Sequence, residues 1–179
     1  GTELHLFPGM IDDQVHFREP GLTHKGNIYS EARAAVAGGV TSFMEMPNTV
    51  PNTVTLDELD KKYDRAAEVS LANYSFYIGA TQNNADVIGD IDIKNVCGVK
   101  IFMGSSTGNM LVDNEESLNA IFKNAKTIIT THCEDDKMIA INLQKAQQQY
   151  PSGIPVQMHP IIRNADACYA SSSRAIELA

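Results

Sequence analysis

Apolar runs alternate with helix-period segments along the whole of this chain. Met10 to Phe17 reads as a strand, and the pattern next predicts a helix over about 26–37, stopped by Gly38 and Gly39. Val40 to Met46 is a second strand, closed by Pro47 and Asn48. Thr55 is the expected N-cap of the following helix, with Glu58 as its capping-box partner. Ser70 to Gly79 reads as a third strand, followed by a short, weak helix around Ala85. Val96 to Met103 is the fourth, and a Gly/Ser loop over 104–109 leads into a helix over about 114–124. Thr127 to Thr131 is the fifth, followed by a long helix over about 135–149. Pro151-Ser152-Gly153 marks a loop, and a last helix begins near Arg163.

Strands and helices in strict alternation imply a parallel sheet with right-handed crossovers. A doubly wound open sheet and part of a (β/α)8 barrel both satisfy that string. The chain has 179 residues, short of the roughly 250 that a whole barrel takes. Polar residues decide between the two. Asp12, Gln14, His16 and Arg18 crowd the end of the first strand and Asn48 follows the second. Lys100 lies inside the fourth, and His132 ends the fifth. The C-terminal ends of barrel strands are where active sites are built. The expected fold is therefore α/β, a partial (β/α)8 TIM-type barrel of about five βα units that stops before closure. Residues 1–179 form the N-terminal portion of one barrel domain, with 1–8 as a tail entering the first strand. The chain opens on Gly1 and closes inside a helix-forming stretch over 170–179 that lacks a stop signal, so an excerpt of a longer protein is expected.

Strand alternation would set residues 12, 14, 16 and 18 on one face. Asp12 and His16 suit metal ligation, and Arg18 suits a carboxylate or phosphate held by two parallel hydrogen bonds. The plainer alternative is a polar rim with one satisfied histidine. Lys100 sits in Val99-Lys100-Ile101-Phe102-Met103, otherwise a buried strand. An ammonium there is costly, which makes the neutral amine accessible. Such an amine can be a Schiff-base nucleophile or take up CO2 as a carbamate that bridges two cations; otherwise it snorkels out at the strand end. His132 is either a ligand or a structural strand-end histidine. His5 and His24 read as surface residues, and His159 is ambiguous. The 104–109 loop lacks the Lys-Ser/Thr pair of a phosphate loop and is expected to be a mobile active-site loop. Beside Cys133 only His132 offers anything to activate a thiol, so it is set aside.

Composition narrows the function further. With 14 basic and 22 acidic residues the net charge is −8, which argues against nucleic acid or an anionic membrane as partner. No apolar run reaches the roughly 18 residues of a membrane span. No secretory signal is visible, and three widely spaced cysteines make no disulfide framework. A cytoplasmic location is expected.

The run Pro8-Gly9-Met10-Ile11-Asp12-Asp13-Gln14-Val15-His16-Phe17-Arg18-Glu19-Pro20-Gly21 resembles the first signature of the dihydroorotases of the amidohydrolase superfamily. Ala34 to Thr41, Met46-Pro47-Asn48-Thr49, Gly98 to Phe102 and Thr131-His132-Cys133-Glu134 follow in the family's order, most like the bacterial branch with a lysine on strand four. The resemblance implies a metal-dependent hydrolase with two divalent ions, expected to be zinc. It makes His16 a ligand of the first ion, Lys100 a carboxylated bridge and His132 a ligand of the second, with Asp12 and Gln14 as further candidate donors. Arg18 and Asn48 become the groups that bind the substrate carboxylate. One departure is that the family's first strand reads Asp-x-His-x-His, whereas Gln14 stands here for its first histidine. The remaining metal histidine and the proton-shuttling aspartate are expected on strands six and eight, beyond residue 179, so the chain alone is expected to be inactive. The implied reaction is reversible hydrolysis of dihydroorotate to N-carbamoyl-aspartate in pyrimidine biosynthesis. Its implied partner is a carboxylated cyclic small molecule, with homo-oligomers expected of the full-length protein. The rival readings are another cyclic amidase of the dihydropyrimidinase or allantoinase type, which is not expected to keep Arg18, and a non-catalytic dihydroorotase-like scaffold, which Gln14 favours.

Overall fold

A computed structural model describes residues 2–106 and 109–179. Strands β1 (Met10–Val15), β2 (Val40–Glu45), β3 (Asn73–Gly79), β4 (Gly98–Phe102) and β5 (Ile129–His132) alternate with helices α1 (Ile28–Ala37), α2 (Leu56–Val69), α3 (Ala85–Gly89), α4 (Glu115–Asn124) and α5 (Asp136–Gln149). Two further helices, α6 (His159–Ile162) and α7 (Ala165–Leu178), follow. The strands are hydrogen-bonded in the order β1-β2-β3-β4-β5, and the first three ladders are parallel. This is the succession of the first five units of a (β/α)8 barrel, as the sequence pattern predicts.

Contacts divide the chain into two compact units. The first comprises residues up to Gly79, Asp90–Lys100 and Lys126–Ile128. Its core is apolar and aromatic: Phe17, Ile28, Phe43, Leu59, Phe76 and Ile78 are all buried. The Phe17 and Phe43 rings lie 4.5 Å apart, and Tyr63 meets Phe76 edge-on at 4.9 Å, geometries that suit the ring quadrupoles. Gly98 lets the chain come close here, because a Cβ would fall 2.7 Å from Ile128 Cγ2 and 2.8 Å from the Ile128 carbonyl oxygen. That carbonyl accepts the Val99 N–H at 2.9 Å.

The second unit comprises Ala80–Gly89, Ile101–Ala125 and Ile129–Ala179. The end of β4 is tied here, with the Met103 N–H donating to the His132 carbonyl and the Val112 N–H to that of Phe102, both at 2.9 Å. Ile101, Met110, Val112, Leu118, Ile121 and Ala167 form its buried centre.

Polar side chains start the long helices. Asn27, Thr55, Asn114, Asp135 and Asn164 each accept the N–H three residues on, an arrangement that contributes about 1 kcal/mol apiece. The reciprocal capping box falls at Asn27 and Ser30. At Thr55 the expected partner Glu58 instead directs its carboxylate to Lys61, at 2.9 Å. The last predicted helix opens where expected, with Asn164 starting α7, and a short α6 that the pattern does not predict precedes it.

β1 departs most from expectation. Its register against β2 shifts between Met10 and Ile11 and again between Asp12 and Val15, and the strand ends at Val15. An irregularity of this kind breaks the period-two alternation, so residues 12, 14, 16 and 18 are not one strand face. Among the described residues no helix is long and apolar enough to cross a membrane.

Candidate active site

In the first unit the site is built where β1 ends. Phe17 turns into the core, and the chain reverses at Arg18, whose backbone is left-handed with φ 70°. The support for this turn comes from β2. Glu45, its last residue, is fully buried, and Oε1 accepts the N–H groups of Phe17 and Arg18 at 3.1 Å each. Its other oxygen lies 2.8 Å from Nζ of Lys62, which projects from α2 and is 2% exposed. Lys62 also donates to the Met46 carbonyl at 3.4 Å and sits 4.8 Å over the Phe76 ring. Burial pushes the Glu45 carboxyl up and the Lys62 ammonium down, and the attraction between them opposes both shifts. Sequence reasoning singled out neither residue. The available signal was a lysine at the position of α2 that shares a face with Leu59 and Ala66.

Around that turn stand four residues the sequence proposes for chemistry. Although His16 keeps an exposed surface, the dense protein around it lowers its pKa first by desolvation and then through the charges of Arg18, Lys100 and Lys62. That environment favours the neutral, ligating imidazole. Lys100 is 4% exposed in a strand whose five residues are all buried, so it does not snorkel. Arg18 is half-buried, and among the described residues its guanidinium has no hydrogen-bond or ion-pair partner. Asn48 leaves its Oδ1 buried and, among the described residues, unpartnered. The turn that carries Asn48 is braced by Thr49, whose N–H donates to the Pro47 carbonyl and whose hydroxyl donates to that of Pro51, both at 2.8 Å. Asp12 and Gln14 stay on the exposed part of β1, with Asp12 Oδ1 accepting the Gln14 N–H at 3.2 Å.

His132 belongs to the second unit, where it ends β5 with Nε2 3.1 Å from Glu134 Oε2. Arg163 grips the same carboxylate, through Nε to Oε1 at 2.9 Å and through a second nitrogen to Oε2, and also reaches the Ser105 hydroxyl. These bonds, Arg163 foremost and His132 and Ser105 after it, hold the Glu134 carboxyl down at about 2. No local sequence signal joins Glu134 to Arg163, which lies 29 residues on. Gly104 lies against this cluster so closely that a Cβ would fall 2.1 Å from the Glu134 carbonyl oxygen. The Ser105 N–H donates to the Asp136 carboxylate at 3.1 and 3.2 Å. The start of the expected mobile loop is thus anchored, while Thr107 and Gly108 lie outside the described residues. His5, His24 and His159 are exposed, and the Cys133 thiol donates to the Thr131 hydroxyl at 3.2 Å.

Among the described residues no three His, Cys, Asp or Glu side chains come together as a ready cation site. The donor chemistry of the first unit nevertheless fits a divalent ion, because a desolvated imidazole and a buried amine that CO2 can convert to an oxygen donor are both suitable ligands.

The dihydro-orotase-like family profile matches residues 4–155. The chain belongs to this family. Among dihydro-orotase-like relatives, the allantoinase of Deinococcus radiodurans is 31% identical over 171 residues, covering 92% of this chain and 38% of the relative. The dihydroorotase of Halobacterium salinarum is 37% identical over 136 residues, covering 75% of this chain and 32% of the relative. In structure, the L-hydantoinase (dihydropyrimidinase) from Arthrobacter aurescens superposes with a TM-score of 0.87 at 24% identity, covering 96% of this chain and 39% of that one. That likeness establishes the partial barrel. The dihydro-orotase-like chain spans less than two-fifths of the length of each of these relatives.

Proposed function

We propose that this chain supplies the substrate-carboxylate side of a metal-dependent cyclic amidohydrolase that hydrolyses dihydroorotate reversibly to N-carbamoyl-aspartate. The observation that carries this reading is Arg18, a half-buried guanidinium with no hydrogen-bond or ion-pair partner among the described residues, next to a histidine whose pKa is lowered first by burial and then by the Arg18 charge. A guanidinium of this kind matches a carboxylate in a bidentate pair. Asn48, whose Oδ1 is buried without a partner among the described residues, would supply a second polar contact to the same ligand by accepting a ring N–H. Allantoin and unsubstituted hydantoins carry no carboxylate and leave Arg18 unused.

His16 and Lys100 are the residues that would hold metal on this side. Lys100 would do so as a carbamate, formed when its neutral amine adds to CO2 and releases one proton. Bound divalent ions supply Lewis acidity and lower the pKa of water. Gln14 offers only a neutral amide oxygen at the position of the family's first histidine, so the ion that His16 holds is bound less tightly than a second imidazole would allow.

The test compares dihydroorotate, allantoin and hydantoin as substrates of the intact protein, with metal content measured on the same sample. Turnover of dihydroorotate by a protein that holds metal is expected. Turnover confined to the uncarboxylated rings overturns the reading in favour of another cyclic amidase, and a metal-free protein inert towards all three overturns it in favour of a scaffold.

A further inference from the structure

The conformation of Arg18 is imposed from outside its own strand. A φ of 70° is a region that side chains other than glycine rarely occupy. Two consecutive N–H groups, those of Phe17 and Arg18, converge on one oxygen of Glu45 at 3.1 Å each. Two bonds to one fixed acceptor set the planes of both peptides. On the far side, the Arg18 carbonyl accepts the Leu22 N–H at 3.0 Å.

The acceptor is fixed in turn. Glu45 and Lys62 are both almost wholly buried and lie 2.8 Å apart. A buried ion pair is seldom the most stable way to fill such a space, since apolar residues of similar volume do as well or better. Joining β2 to α2 therefore does not call for these charges. Accepting two backbone N–H groups at the end of β1 does, because apolar side chains would leave both donors buried and unpaired.

We propose that Glu45 is a positioning residue for Arg18, its carboxylate anchored by Lys62 and holding the left-handed turn that presents the guanidinium to an anionic substrate. The proposal rests on Arg18 being the carboxylate-binding group. It adds two residues, one of them on an outer helix, that set specificity without touching the ligand.

The experiment uses the intact protein and the double variant Glu45→Leu/Lys62→Met, which fills the space with apolar groups and removes the acceptor. The expected result is a rise of tenfold or more in KM for dihydroorotate, with kcat within threefold of the parent and metal content unchanged. In an Arg18→Met background the same pair of changes adds no further rise. An unchanged KM overturns the proposal, as does the same fold-rise on top of Arg18→Met. If the apolar variant does not fold, Glu45→Ala/Lys62→Met, which also removes the acceptor but leaves room for water at the two N–H groups, is judged by the same criteria. If the parent protein hydrolyses no cyclic amide, the functional reading fails by itself. The clamp is then read from amide hydrogen exchange at Phe17 and Arg18, expected to be at least tenfold faster in the variant. Unchanged exchange overturns the proposal.

Discussion

At the end of β1 a cation with no hydrogen-bond or ion-pair partner among the described residues stands beside a histidine and close to the charge of a buried lysine. Arg18→Met is expected to keep the metal content and to lose about 2–5 kcal/mol of binding to a carboxylated substrate, read as KM by steady-state kinetics. Lys100→Ala is expected to lose bound metal, read by elemental analysis, with partial recovery of activity on adding short carboxylic acids; full metal retention counts against the bridge. Cys97 makes a separate prediction. Burial pushes its thiol up from 9.0 to about 11. Below pH 9 the thiol is protonated in both the folded and the unfolded chain. Between pH 9 and 11 the unfolded chain ionises and the folded one does not, so stability falls across that window. Cys97→Ala should remove this component of the slope in urea titrations at stepped pH. At pH 8 native Cys97, partly buried and held protonated, should also alkylate more slowly than the exposed Cys168. Arg18 and Lys100 were legible in the sequence because their types clash with their surroundings. Glu45 and Lys62 were not: an acid at a strand end and a lysine in a charged helix both pass for solvated residues until tertiary pairing joins them.

Elements were legible where one residue type has one physical use. Thr55 and Asp135 announce helix starts, and Gly38 with Gly39 announces a stop, which the Gly38 N–H makes by donating to the Ala34 and Ala35 carbonyls at 3.0 Å. Asn27 was overlooked because its box partner is Ser30 rather than a Glu or Gln. Asn27→Ala should cost about 1 kcal/mol in chemical denaturation. The register shifts in β1 could not be read at all, since they arise from pairing with β2 and not from the strand's own pattern. Between β2 and α2, Lys62→Met alone strands a buried carboxylate and should destabilise by about 3–5 kcal/mol. Adding Glu45→Gln, which removes the stranded charge and keeps an acceptor for the Phe17 and Arg18 N–H groups, should recover most of that loss, as urea midpoints will report. An equal loss in the single and double variants would show that the charge is not the cause.

For the molecule as a whole, alternation of period was enough to announce a parallel α/β sheet, because parallel strands need helices between them; the polar residues at the strand ends then chose the barrel. Neither could reveal how contacts divide the chain, since that depends on which side chains meet. Leu4, Leu6, Phe7, Met10 and Ile11, on and before the edge strand β1, are each more than half exposed. Apolar surface at a strand edge recruits partners. Expressed by itself, this 179-residue span should self-associate and lack dihydroorotate hydrolysis. Sedimentation velocity and an assay with added zinc test both parts, and Ile11→Lys should reduce the association. A monomeric, active span would contradict the expectation.

The left-handed turn at residue 18 also has a consequence for drift under selection. At φ 70° glycine is the residue the backbone accepts most readily. Arg18→Gly should relieve about 1 kcal/mol of conformational strain, in part offset by the greater freedom of a glycine-containing unfolded chain. A library of residue 18 variants sorted only for folded protein should therefore enrich glycine and asparagine, and the same library sorted for turnover should return arginine. At this one position the two sorting pressures point in opposite directions, so the outcome of a fold-only selection should be a better-behaved protein that no longer holds its substrate.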